Sequence, residues 1–587
     1  EAHLNLKRFE DALEDADRMS ELEPDSLQSE LVRLRGYIGL ERIEDAEMLF
    51  VDFEERWGEE GFSEDLGARY CAAHAVFARE KGDLELAEER YEKCLERFPL
   101  GTTLVTEAIE FFDGQRRPGR GHEILRRMLE LEPARAQARE TLAVRLRSAH
   151  LEEEAEQVLL EGTQLGDWAA LQAWGALGNH YFHLEDYEAS LQAWERVMAY
   201  VEEPDADLRF GYAEALLRSG RYARALEEAG KLPEVQGELI RGLVRLEQRR
   251  PEEALAHFSA GLRLWPNNAV ARYYAAIAAL EAGDFDQAVS QYRDSIRAGA
   301  AHTDAGLQLA RLHEAEAAYE PARQALVHHL KAHPDDLDAR LMALRLAKRM
   351  SRTTPPQQDF SSFSWAGQLG GVSGLAEVAE IVAAADGVEA GIAVLLSAKG
   401  MDWTAPPAAP ALRVLVTQLC EAGKLDEARS RIDAAQSAYP DTAAFHEVRG
   451  LWLECRDAPA AEVRAAYEGA LAIDAAHPPA LAALGRLALG EGRHAEALEF
   501  YRRAAEDESD TESRFKFAEL AARAGKRDEA KQGFEDLLED EPYHARAAAA
   551  LAELLAEREG NARRAQALVH RAARFGKDRS KTGGGVP

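Results

Sequence analysis

Cysteine is nearly missing from this chain: Cys71, Cys94, Cys420 and Cys455 are the only four in 587 residues, and no two form a C-x-x-C pair. That excludes a disulfide-dense scaffold. The four read as structural thiols at core-like or groove-like helix positions, with no disulfide expected to hold the chain together. Long apolar runs are missing as well; none approaches the roughly 18–20 residues that span a bilayer. Positive charge is short: 71 Lys and Arg face 105 Asp and Glu, a net charge of −34. A chain this acidic cannot neutralise phosphates, so nucleic acid is excluded as a partner, as is direct docking onto anionic lipid. The acidic surplus reads as a solvated outer face.

Catalytic and ligand motifs are missing too. His328, His329 and His333 contain an i, i+4 pair with metal-like spacing. However, His329 falls at a core position and no carboxylate follows in H-E-x-x-H fashion, so no metal is assigned. Gly119–Gly121 has no preceding strand to make a phosphate loop, and Gly371–Gly374 lacks the spacing of a nucleophile elbow. The reading is no catalytic residue, no cofactor and no enzyme.

What is present is a ladder of small residues: Ala12, Ala46, Ala87, Gly121, Ala155, Ser190, Ala225, Ala254, Ala288 and Ala322, then Gly391, Ala428, Val463, Ala497, Ala530 and Ala565. Most steps lie between 33 and 37 residues, with one of 41 and one of 29 in the first run. Twelve residues after the small position comes proline, as at Pro24, Pro99, Pro133, Pro266, Pro334, Pro440 and Pro542, where a helix must stop. Five residues before it comes glycine, as at Gly82, Gly220, Gly283, Gly423, Gly492, Gly525 and Gly560, suited to a tight turn. Four residues after it an aromatic is common, among them Phe50, Tyr91, Trp194, Phe258, Tyr292, Tyr467, Tyr501 and Phe534. An i, i+4 pair shares a helix face, so the small residue makes room and the ring fills the next hole.

The unit Trp174, Leu177, Gly178, Tyr181, Tyr187, Ser190, Trp194 resembles the tetratricopeptide repeat family, whose pattern runs W-x2-L-G-x2-Y…A-x3-F. Looser units carry Gly391 and Val463 where that family prefers Ala. The resemblance implies an all-α, right-handed superhelical solenoid of about sixteen helical hairpins in two blocks. The first block is residues 1–350, with its first repeat truncated; the second is 375–576, with an extended break at 404–410. Residues 351–374 form an irregular linker around Pro355 and Pro356, with Phe360, Phe363 and Trp365 expected against a helix face. Residues 577–587 are a disordered tail. Two irregularities interrupt the first block: a polar loop around Trp57–Gly67 and a short helix after Ala225 that ends at Leu232–Pro233. The chain opens at Glu1 inside a repeat, which predicts a truncated piece with a targeting segment or further domain upstream.

In the resembled family the first helix of each hairpin lines a concave face. Carried over, that face presents Asn179, Phe182 and His183, then Phe210, Glu214, Leu217 and Arg218. Leu239, Leu243 and Leu246 follow, then Tyr273, Ile277 and Leu280. The same residues have a second reading, as packing between adjacent first helices. In the second block the positions give Trp452, Arg456, Arg486, Phe515, Arg523 and Arg558, either a fork for acidic segments or partners of neighbouring carboxylates such as Glu519 and Glu557. The family's carboxylate clamp is not supported, because Gly175 and Gly211 stand where it needs Lys and Asn.

The resemblance therefore implies a protein–protein scaffold or adaptor that binds helical or extended segments of other proteins. Two alternatives stand beside it: the recognition arm of a larger enzyme, or a periplasmic scaffold of an envelope polysaccharide-export or secretion assembly. A soluble cytoplasmic chain is the first expectation, with the periplasm open. Abundant Ala and Arg with sparse Lys suggest a bacterial source.

Overall fold

A helix that must lie close against its partner needs a position without bulk, and each rung of the ladder supplies one. In a computed structural model that describes residues 2–5, 8–23, 26–56, 64–350, 364–398, 401–507, 509–556 and 561–576, every ladder residue is buried. The described residues contain α-helices and two short 3-10 turns, with no strand. Helices alternate along the chain as antiparallel pairs such as Glu64–Glu80 with Leu84–Arg97, Ala269–Ala282 with Phe285–Gly299, and Thr511–Arg523 with Arg527–Asp540. The rings that follow the small residues fill the cores: Tyr91, Phe258, Tyr292, Tyr467 and Phe534 are at most 1% exposed.

The ring packs over a glycine of the paired first helix. A Cβ placed on Gly450 would sit 2.5 Å from Cε1 of Tyr467, and one on Gly178 would sit 2.6 Å from Nε1 of Trp194. Ser190, the polar rung, satisfies its buried hydroxyl by donating to the carbonyl of Gly178 at 2.8 Å.

Helix ends follow from the same residues. Helices that stop at Arg97, Leu131, Leu264, Ala332, Ala438 and Asp540 are each followed two residues later by the expected proline. The turns within hairpins require a residue with positive φ. Gly82, Gly220, Gly283, Gly423, Gly492 and Gly525 take it, at φ of 73–82°. In seven further hairpins Glu41, Arg116, His150, Glu185, Arg249, Ala317 and Asp457 take the same conformation at φ of 54–60°. These turns lack the glycine that would have marked them in sequence.

The chain divides into two compact units, Glu1–Pro233 and Glu234–Pro587. The division falls just after the shortened helix Tyr222–Ala229. The expected linker lies inside the second unit. Residues 351–363, with Phe360 and Phe363, lie outside the described residues, as do Pro24, most of the 57–67 loop, Gly560 and the 577–587 tail. Residues 64–67 of that loop form the first turn of helix Glu64–Glu80. Helices Leu337–Met350 and Ser364–Asp386 share one core, in which Leu341 and Leu344 join Leu375, Val378, Leu412 and Leu415. The 404–410 segment is not extended: Pro406–Ala408 form a 3-10 turn and Pro410 sits in the first turn of helix Ala409–Glu421, where its missing N–H costs nothing.

The second unit closes on itself. Its last helix, Ala562–Phe575, packs on the turn at Gly283, and Phe575 stacks edge-on against Phe285 with centroids 5.1 Å apart. Arg571, 6% exposed, donates to the carbonyl of Leu280 at 3.1 Å. Arg574 reaches Glu316 at 2.7 Å and Asp286 at 3.2 Å, while Tyr543 donates to the carbonyl of Gln308 at 3.3 Å. An array open at both ends, as the repeat pattern alone implies, is therefore not what this unit forms.

Gly220→Ala should lower the unfolding free energy by about 1 kcal/mol through backbone strain alone, since nothing lies within 4 Å of the added Cβ. His150→Gly should raise it by roughly 0.5–1 kcal/mol; urea titration of both checks the signs. Arg571→Ala should cost about 2 kcal/mol and speed proteolysis within 545–575, read by timed digestion.

Candidate functional site

In the first unit, helices Ala136–Ser148, Asp167–His183 and Ala206–Arg218 are consecutive first helices. Asn179 and His183 are exposed, Phe182 and Phe210 are half-buried, and Leu217 is buried in the core. The Arg218 guanidinium lies 5.8 Å from the Phe182 ring centroid. Glu214 is half-open to solvent, yet burial among its neighbours holds its carboxyl above the ordinary range, with Arg218 offsetting part of the effect. His183 is depressed by burial and then by Arg147. Accessible groups whose charge is nonetheless poorly hydrated are what a concave wall produces. Behind them His180 is fully buried with neither ring nitrogen partnered, and burial depresses its pKa.

In the second unit the apolar strip is mostly core: Leu239, Leu243, Leu246 and Leu280 are at most 9% exposed. Tyr273 and Ile277 are half-buried. Tyr273 lines an open cleft of about 370 Å³ with Val270, Tyr274, Ala301, His302, Thr303, Asp304 and His333. Burial, and then Asp304, push its phenol up to about 12.

The carboxyl-terminal set has internal partners. Trp452 is 6% exposed and donates its indole N–H to the carbonyl of Leu425 at 3.0 Å. Arg456 lies 4.9 Å from that ring and 3.4 Å from Glu462. Arg486 pairs with Glu454 and Arg523 with Glu519, both at 2.8 Å. Phe515 is buried beneath Arg546, whose guanidinium is 4.0 Å from the ring centroid. Arg558 and Glu557 lie outside the described residues.

The expectation of no disulfide is overturned. Cys71 and Cys94 form a disulfide across a single hairpin, with Cα atoms 5.7 Å apart. The two helices of a pair bring residues 23 apart face to face, a spacing that a search for C-x-x-C does not cover. Cys420 and Cys455 remain thiols; their mutual hydrogen bond draws Cys455 down and pushes Cys420 up.

Two tetratricopeptide repeat models match the chain, one at residues 172–233 and 241–303, the other at 68–99 and 478–506. No curated protein matches it in sequence. Among solved structures it is similar to the APC/C hetero-tetramer Cut9-Hcn1, at 12% identity and TM-score 0.28 over 90% of this chain and 96% of that one. It is also similar to a tetratricopeptide repeat protein from Parabacteroides merdae, at 15% identity and TM-score 0.28 over 43% of this chain and 98% of that one. Neither superposition is close enough to add to the case. The matched segments show that the chain carries tetratricopeptide repeats, and the in-phase rungs and the hairpins they build agree with them.

Proposed function

We propose that the protein is a non-enzymatic scaffold that holds segments of other proteins against the first helices of its repeats. The observation that carries this reading is the wall of Asn179, Phe182, His183, Phe210 and Arg218. It combines apolar rings with exposed hydrogen-bonding edges on adjacent helices. Completing the burial of a half-covered phenylalanine releases bound water at about 25 cal/mol per Å². Asn179 and His183 supply polar edges that can meet the main chain of an extended segment. Glu214 favours a segment that brings its own donors, since burial makes its charge poorly served by water. No helix among the described residues is long and apolar enough to cross a membrane.

A second reading concerns where the scaffold works. The Cys71–Cys94 disulfide favours an oxidising compartment, and with it the periplasmic export or secretion assembly.

Phe210→Glu should weaken peptides selected on the intact chain from a random display library by at least about 30-fold, the loss expected of a central anchor, while the melting temperature holds. Unchanged affinity, or loss of folding together with binding, would refute the wall as a docking face. For the compartment, alkylation of freshly isolated protein under non-reducing conditions should label two of the four cysteines, Cys420 and Cys455. Four labels would place the chain in a reducing environment.

A further inference from the structure

Helix Tyr319–Ala332 ends in two histidines, His329 in its last turn and His333 as its cap, with ring centroids 4.6 Å apart. His329 is 2% exposed, and its Nε2 lies 2.7 Å from an oxygen of Asp336. The other oxygen of Asp336 accepts from the amide of Ala339 at 2.9 Å, which fixes the carboxylate in place. An ionised carboxylate only accepts, so the imidazole proton sits on Nε2 and Nδ1 carries a lone pair. That Nδ1 is buried and has no hydrogen-bond partner.

Asp304 is unusual in a complementary way. It occupies the N-cap of helix Ala305–Ala315, yet its side chain makes no capping hydrogen bond. Asp83, Asp186, Asp205, Asp284 and Asp510 all cap their helices in the expected manner. The Asp304 carboxylate is instead placed so that one ligand atom each from Asp304, His329 and His333 lie within 4.8 Å of one another.

We propose that Asp304, His329 and His333 bind one divalent transition-metal ion of the zinc class at the edge of the cleft beside Tyr273. The donor set is two imidazoles and a carboxylate, which suits such an ion at bond lengths of about 2.0–2.2 Å. Asp336 is a positioning residue: it holds the His329 ring in the tautomer that presents Nδ1 to the metal. Asp304 is exposed and the cleft is open, so a further coordination position faces solvent. No H-E-x-x-H spacing marks the site, because the carboxylate comes from the loop before the preceding helix. The inference stands independently of the protein-binding wall, which belongs to the other unit.

The test is titration of the chelator-stripped intact chain with Co²⁺, followed by competition with Zn²⁺. One equivalent of Co²⁺ should give visible d–d bands of a low-coordinate site, abolished by Zn²⁺. His333→Ala and Asp304→Asn, both at accessible positions, should each weaken binding by at least about tenfold, and Asp336→Asn by roughly 10- to 100-fold. His328→Ala, one residue from the cluster and exposed, should bind as the parent does. Zn²⁺ should also raise the melting temperature of the parent and not of His333→Ala. The spectrum of the free aqueous ion, equal affinity in His333→Ala and Asp304→Asn, or an equal loss in His328→Ala would each overturn the assignment.

Discussion

The close approach of two helices over a side-chain-poor contact is the constraint on which everything else rests. A ring such as Tyr467 or Trp194 can be swallowed only because Gly450 or Gly178 offers bare backbone opposite it. The ladder residue beside the ring keeps the pair from being pushed apart. Overfilling such a contact costs roughly 1–3 kcal/mol. Each hairpin still leaves one apolar side uncovered, so it is stable only against a neighbour, and stability accrues pair by pair along the array.

The charges follow the same period. Arg117–Glu88, Arg221–Glu188, Arg486–Glu454 and Arg464–Glu496 join residues 29–33 apart, each tying one hairpin to the next. Exposed pairs of this kind contribute about 0–1 kcal/mol each, so they tune register while the buried rings hold the fold. Their other effect is on function. Arginines engaged by internal carboxylates offer little to an acidic partner, because binding would exchange one ion pair for another. Arg486 and Arg523 are in that position.

How far the sequence could be read depended on whether a feature had a residue-level cause. The ladder, the rings and the proline stops were legible because bulk, shape and a missing N–H each demand a residue type. The turns were half legible. Gly220 and Gly283 announce positive φ, whereas Glu185, Arg249 and Ala317 adopt it because the hairpin around them leaves no alternative. The closure of the second unit was not legible at all. Arg571 meets a backbone carbonyl at Leu280, and a carbonyl carries no mark in sequence. The Cys71–Cys94 bond and the partnership of Asp304 with His329 and His333 were hidden for a related reason: their spacing is set by hairpin geometry.

Closure also decides which surfaces remain for a partner. Leu280, Phe285, Gln308 and Glu316 are occupied by Tyr543, Arg571, Arg574 and Phe575 of the same unit. Their backbone and side-chain groups are satisfied, so a ligand placed there would have to break contacts before making any. Burial at that junction is deep enough that Arg571 is pushed below its usual pKa by desolvation and Glu281 above its own. Such charges are costly to separate, since opening the junction on one side strands the other. The Phe182–Phe210 wall carries no comparable prior commitment: its rings are half-covered and Asn179 and His183 face solvent. Binding there would start from surface that water already wets poorly, and that difference in starting state, more than any count of arginines, favours the docking face proposed for the first unit.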